Sequence, residues 1–335
     1  LFIADWYDPG VGGHFAGDQI KGRIYRLAPK ANEYKISSFD KNNKAELING
    51  LANPNLSIRS LSQLKLRALG KEAIPVLKPV LEGTDPELKS RALFILGDLD
   101  KSYIELALND KNEDIKLAGL RIARHSGTSS TSSAIKTLLA QDNSGKVWRE
   151  CAIALKNTDK KDRIILWLEL AAKYQNSERW FLEALGIGAE EIWDEVMPAY
   201  LNKNKDITQR IVSDIIWRSR SKHSLAALQK LASESTGNEQ LKYIRSFDFI
   251  NDPSKNKILL GLLNSIKDST VSLTLLKSLD PSKLKTNAEA MEKVNMAMRV
   301  ADSITYLDLV EKFYPKDQIG KLPAMVKAEN LPAGL

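Results

Sequence analysis

Beyond residue 45, apolar residues recur at helical spacing along most of the chain, as in Ile74, Leu77, Val80 and Leu81. Eight stretches of this kind are Ala45–Leu51, Ala73–Glu82, Tyr103–Asn109, Ala134–Gln141, Asp162–Tyr174, Glu191–Lys203, Ser224–Glu234 and Lys257–Ile266. Each is followed by an Asn or Asp and then by a second amphipathic stretch, such as Ile58 to Leu61 or Leu88 to Leu93. The acids and amides are Asn55, Asp85, Asn112, Asn143, Asn176, Asp206, Asn238 and Asp268, separated by 30, 27, 31, 33, 30, 32 and 30 residues. A side-chain oxygen at a helix start accepts a free N–H of the first turn, so these positions predict the N-caps of eight second helices. No period-two alternation follows residue 40.

Two helices and two short turns every ~30 residues describe stacked helical hairpins, because one hairpin cannot bury its own apolar face. The spacing is too short for tetratricopeptide repeats. The expectation is an all-α, HEAT-like α-solenoid of eight or more hairpins over residues 45–283. An irregular helical continuation over 284–335 would include Asn287–Val300, Tyr306–Phe313 and Gln318–Lys327. Basic residues four after a cap (Arg59, Lys89, Lys116, Arg210 and Lys242) predict a charge ladder between repeats, or a row that contacts a ligand. Residues 31–44 read as a linker. The start at Leu1, inside a strand-like run, and the lack of a polar capping helix at the end predict a piece of a longer protein.

Composition narrows the chemistry. The 335 residues are 43% hydrophobic and 27% charged, ordinary for a folded domain. No run approaches ~18 apolar residues, so no segment is expected to span a membrane. The net charge of +7 comes from 49 basic and 42 acidic residues mixed along the sequence, without the clustered stripe that marks nucleic-acid binders. The single cysteine, Cys151, lies in an apolar run and reads as a core residue. His14, His125 and His223 are scattered, and with one cysteine they form no zinc set. No Cys-x-x-Cys-His is present, so no c-type haem is attached to this chain.

The first thirty residues differ. Leu1 to Tyr7 reads as a strand, Asp8 to His14 as a glycine-rich loop, and Gly22 to Pro29 as a second, alternating strand. Asp5, Asp8, His14 and Asp18 are the candidates for cofactor binding, since carboxylates and a His on such a loop can hold a metal or move a proton. Turn chemistry explains the same residues, because Asp8-Pro9-Gly10 favours a turn. No helix follows Gly10-Val11-Gly12-Gly13, so the loop is not a dinucleotide site.

The string Ala4-Asp5-Trp6-Tyr7-Asp8-Pro9-Gly10-Val11-Gly12-Gly13-His14, followed by Gly22-Arg23-Ile24-Tyr25-Arg26-Leu27-Ala28-Pro29-Lys30, resembles the last propeller blade of a family of membrane-bound dehydrogenase-like proteins. That resemblance implies a glucose/sorbosone-dehydrogenase-like β-propeller, then HEAT repeats, then in many members a c-type cytochrome domain. It implies a periplasmic or extracellular parent, tethered to the membrane through other segments. Such a parent would hold c-type haem and a quinone with calcium, while this chain holds no cofactor or metal of its own. Only about thirty residues carry the resemblance, and no catalytic residue of the family maps onto them.

Two functions follow as expectations. One is a non-catalytic scaffold joining the propeller and haem domains of an exported sugar or alcohol dehydrogenase-like protein, whose partners are those domains. The other is a HEAT scaffold without a redox role, binding a protein or glycan on its concave face. Trp148, Trp180 and Trp217 are the candidate contact residues for that face, with core packing as their alternative role. A helical-repeat nucleic-acid binder would need a continuous basic channel, which the mixing of charges disfavours.

Overall fold

The structure is a computed structural model that describes residues 2–5, 22–27, 38–141, 144–175, 178–266, 268–284 and 288–313. Among these the fold is all-α helical repeat, with one small two-stranded sheet. The chain divides into two units, Leu1–Leu66 and Arg67–Leu335.

In the first unit, β1 (Phe2–Asp5) and β2 (Arg23–Arg26) pair antiparallel, with Phe2 opposite Arg26 and Asp5 opposite Arg23. Phe2 and Ile24 are 69% and 78% exposed, so the hairpin's apolar side chains are not buried. Helix α1 (Lys44–Leu51) starts at Asn43, whose side chain accepts the amides of Ala45 and Glu46. Helix α2 (Leu56–Ala68) starts after Asn55, which accepts the Ser57 amide.

The second unit begins with α3 (Ala73–Leu81), α4 (Pro86–Leu99), α5 (Ser102–Leu108) and α6 (Glu113–His125). Next come α7 (Thr128–Ala140), α8 (Gly145–Ala154), α9 (Lys160–Ala172) and α10 (Arg179–Gly188). Helices α11 (Trp193–Lys203), α12 (Arg210–Arg218), α13 (Leu225–Glu234) and α14 (Gly237–Ser246) follow. The last are α15 (Ser254–Ser265), α16 (Ser269–Ser278), the short α17 (Pro281–Leu284), α18 (Ala288–Val300) and α19 (Ser303–Phe313). The even helices from α4 to α18 pack each on the next, forming one layer. The odd helices α5, α7, α9 and α11 do the same, and α13 packs on α15. One buried core runs between the layers from Leu93 to Phe313. At its centre the fully buried Trp167 donates its indole N–H to the Leu185 carbonyl at 2.8 Å and meets Trp193 and Tyr200 edge-on. Cys151 lies wholly inside this core, and burial pushes its thiol up to about 12, so it is an inert apolar residue.

Four of the eight expected caps, Asn55, Asp85, Asn112 and Asp268, accept first-turn amides as the spacing predicts. Asn143 and Asn176 lie outside the described residues. Two others depart. Asp206 folds a side-chain turn onto Thr208 and Gln209, and α12 begins four residues later. Asn238 sits inside α14, because the left-handed bend at Gly237 (φ 59°) starts the helix earlier. Helix α7 also starts six residues before the expected Ala134. Gly127, at φ 111°, turns the chain, and the Thr131 hydroxyl donates to the Gly127 carbonyl, so the Ser/Thr run is helical. The tail continues as α18 and α19, which pack in series after α16. The expected helix Gln318–Lys327 lies outside the described residues.

Ion pairs tie successive repeats. Arg121 meets Glu150 at 3.1 Å, Lys136 meets Asp162 at 3.0 Å, and Lys277 meets Asp308 at 2.8 Å, across 29, 26 and 31 positions, about one period. Of the basic residues expected as a ladder, Lys89 reaches Asp110 at 2.6 Å and Lys242 reaches Asp214 at 2.9 Å, both partly buried. Arg210 shares Asp214 from within α12 at 3.1 Å. Lys89 and Lys242 thus tie neighbouring repeats, whereas Arg210 pairs most closely within its own helix.

Candidate binding trough

The layer of even helices carries a run of three open cavities. The first, about 410 Å³, lies between α10, α12 and α14 and is lined by Tyr174, Arg179, Asp214, Trp217 and Lys242. The second, also about 410 Å³, shares Arg179, Trp217 and Lys242 and adds Glu183, Arg218, Arg220, Arg245 and Phe249. The third, about 690 Å³, shares Arg245 and Phe249 and continues along Thr270, Thr274 and Lys277 of α16. Shared walls make these one trough across consecutive repeats.

The half-buried Trp217 forms its floor. The Arg179 guanidinium lies 5.1 Å from the Trp217 ring centroid, and the Lys242 ammonium lies 4.8 Å from it. Such contacts contribute about 0.5–2 kcal/mol and hold each cation in place. Arg220 lies over Phe249 in the same way, at 4.0 Å. Arg218 reaches its position because Gly186 has no side chain. A Cβ there would stand 2.4 Å from the Arg218 guanidinium carbon. Arg218 then donates to Glu183 at 2.7 Å.

Asp214 is the buried anchor below the trough, 5% exposed at its side chain. Burial acts to raise its carboxyl, but hydrogen bonds and charge from Lys242 and Arg210 outweigh this and hold it below the usual carboxylate range. Tyr174 also donates to it at 3.3 Å. Arg220 moves the other way, and burial together with the positive charge of Arg218 lowers it from the ordinary arginine value. Arginine stays protonated in proteins. The part of the trough around Arg218, Arg220 and Arg245 therefore offers fixed positive charge, while Asp248 and Asp302 line its third part.

A separate cavity of about 510 Å³ lies between α5 and α7, lined by Ser126, Thr128, Ser129 and Ser130 with Lys101 and Glu105. It brings together one cation, one carboxylate and no aromatic ring, so it offers far less to a charged ligand.

The three candidate tryptophans all lie on even helices. Trp180 is 69% exposed at the start of α10. Trp148 is half-buried, stacked on Phe181 at 6.5 Å with the Lys173 ammonium 4.9 Å from its ring. Only Trp217 lines the trough. Asp5 ends β1, where only its backbone is described, and Asp8, His14 and Asp18 lie outside the described residues. The sequence reading missed Arg179, Arg218, Arg220, Arg245 and Phe249. A usable signal existed in the adjacent pair Trp217-Arg218 and in Arg245 four residues before Phe249. Five of the basic residues dispersed along the chain, Arg179, Arg218, Arg220, Lys242 and Arg245, are thus gathered around one cavity, with Glu183 as the acid among them. No group of His, Cys, Asp and Glu able to hold a metal occurs among the described residues, and none of their helices is long and apolar enough to cross a membrane. No family model matches the chain, and no curated protein matches it.

Proposed function

We propose that this chain is a non-catalytic helical-repeat scaffold that binds an anionic partner along the trough of its even helices. The observation that carries this is the row of arginines fixed by aromatic rings and a close-approach glycine in a cavity shared by three repeats. Repeat arrays commonly bind extended partners along one layer, where each repeat adds a few contacts. The test is titration with a sulphated polysaccharide, an acidic peptide and neutral dextran, followed by tryptophan fluorescence. The anionic probes should bind at about 0.05 M salt and release at about 0.5 M, as screening weakens exposed charge contacts. Dextran should not bind. Equal binding of dextran, or anion binding that ignores loss of both Arg220 and Arg245, would contradict the reading.

A wider role is supported by the N-terminal string from Ala4 to Lys30. In that role the scaffold connects a propeller to a haem domain in an exported dehydrogenase-like protein. The visible spectrum of the intact parent, recorded before and after adding sugars, tests it. A c-type haem band that becomes reduced supports the connector role. Absence of the band, or no response to any sugar, would leave the scaffold without a redox partner.

A further inference from the structure

The charges around the second cavity do not cancel. Arg179 and Arg218 share Glu183, at 2.6 and 2.7 Å, and Lys242 is paired with the buried Asp214. Arg220 and Arg245 line the same cavity, and neither has a carboxylate within 4.0 Å among the described residues. The polar contact of Arg220 is to the neighbouring Ser219 carbonyl at 3.4 Å, too long to satisfy a guanidinium. Its aromatic neighbour Phe249 holds it in place without neutralising it. Arg220 and Arg245 thus line the cavity without a directly paired carboxylate, next to Arg218, which shares Glu183 with Arg179. The half-buried Arg220 feels the positive charge of Arg218, a repulsion that an anion entering the cavity relieves.

Resting on the reading of the trough as a binding surface, we infer that Arg220 and Arg245 hold a doubly charged tetrahedral oxyanion, the phosphate monoester group. Five cations line this cavity with Glu183 as its acid, and two of them, Arg220 and Arg245, have no carboxylate partner, so a dianion offsets more of the excess than a carboxylate or a phosphodiester does. Guanidinium forks present several donors to the oxygens of a tetrahedral anion, the geometry that favours arginine in phosphate recognition. Arg220 already lies over Phe249, and Arg179 and Lys242 lie over Trp217, so those rings lock the cations instead of stacking on the ligand. The cavity of about 410 Å³ exceeds what the anion needs and opens beside Arg245 into a space lined by Thr270 and Thr274 and by the carboxylates of Asp248 and Asp302, a polar place for an esterified group that carries no further negative charge.

Methyl phosphate and dimethyl phosphate are the probes, with acetate as a reference, in calorimetric titrations of the whole chain. Methyl phosphate should bind saturably at pH 7.5. Its affinity should fall several-fold by pH 5.5, as its second ionisation near about 6 is lost. Dimethyl phosphate, which models a nucleic-acid backbone, and acetate should bind at least about tenfold more weakly. Replacing both Arg220→Gln and Arg245→Gln should weaken methyl phosphate about tenfold or more, in line with loss of charge-assisted hydrogen bonds. Arg245→Gln alone changes an exposed side chain and carries the test if the double variant misfolds. Equal affinity for methyl phosphate and acetate, or no effect of the substitutions, would overturn the inference. Tighter binding of the diester would assign the site to a phosphodiester chain and overturn the monoester. If the sulphated polysaccharide binds while methyl phosphate neither binds nor competes, this inference fails and the scaffold reading stands. If neither binds, both fail.

Discussion

Single side chains set the chemistry of the trough through what lies beneath them. Gly186 is the clearest case, since Arg218 occupies the space where its Cβ would be. Gly186→Ala should move Arg218 out of the cavity and leave Glu183 to Arg179 alone. The displaced atoms end a flexible side chain, and alanine favours a helix over glycine by about 1 kcal/mol, so thermal stability should change by less than about 1 kcal/mol. Affinity for the sulphated polysaccharide should nevertheless drop several-fold, and the two measurements together separate binding from folding. Asp214 works differently, because it is buried and bonded to Lys242, Arg210 and Tyr174. Its folded carboxyl lies below its unfolded value, so its stabilisation is present above about pH 4 and is lost as pH falls through the folded value. Asp214→Asn should cost about 2 kcal/mol at pH 7 in denaturant unfolding. The gap to the parent chain should close as the buffer is taken below the carboxylate range.

At the scale of the element, the caps explain both what the spacing predicted and where it failed. Asp85 and Asn112 accept the first amides of α4 and α6, so Asp85→Ala and Asn112→Ala should each cost about 1 kcal/mol in chemical denaturation. Asp206→Ala should cost less, because Asp206 closes an exposed turn ahead of α12 and caps no helix. The repeat was legible because each hairpin must restate the same apolar faces and turn residues to stack on the last. Position 206 was misread because an Asp can satisfy a turn as readily as a helix start, and only the following backbone decides which. The Ser/Thr run of α7 was missed because its hydroxyls return to carbonyls inside the helix, which composition does not reveal. Most of the trough was not legible. Arg218 meets Glu183 across 35 residues, Lys242 meets Asp214 across 28, and Gly186 matters only through a side chain on the next even helix.

Across the second unit, stability is a sum over neighbours, since each helix packs on its neighbours in sequence and on the adjacent helices of its own layer. Trp167 lies near the middle of this series, fully buried and bonded to α10. Trp167→Ala should cost about 3–5 kcal/mol. In a nearest-neighbour array that loss weakens the middle while both flanks keep their own contacts. Unfolding followed by circular dichroism should therefore split from one transition into two, and a single shifted transition would mean the unit folds as one cooperative block. The cross-repeat pairs at the surface, such as Lys136 with Asp162 and Lys277 with Asp308, contribute little individually, about 0–1 kcal/mol. The same stacking that repeats the core also brings the arginines of α10, α12 and α14 to one side, so the binding surface is a product of the repeat. Hydrogen exchange of the chain with and without saturating sulphated polysaccharide tests that claim most directly. Slowed exchange in Arg179–Gly188, in residues 217–221 and in residues 242–249, with the odd helices unchanged, is the result predicted. Protection on the odd helices, or none at all despite binding, would contradict it.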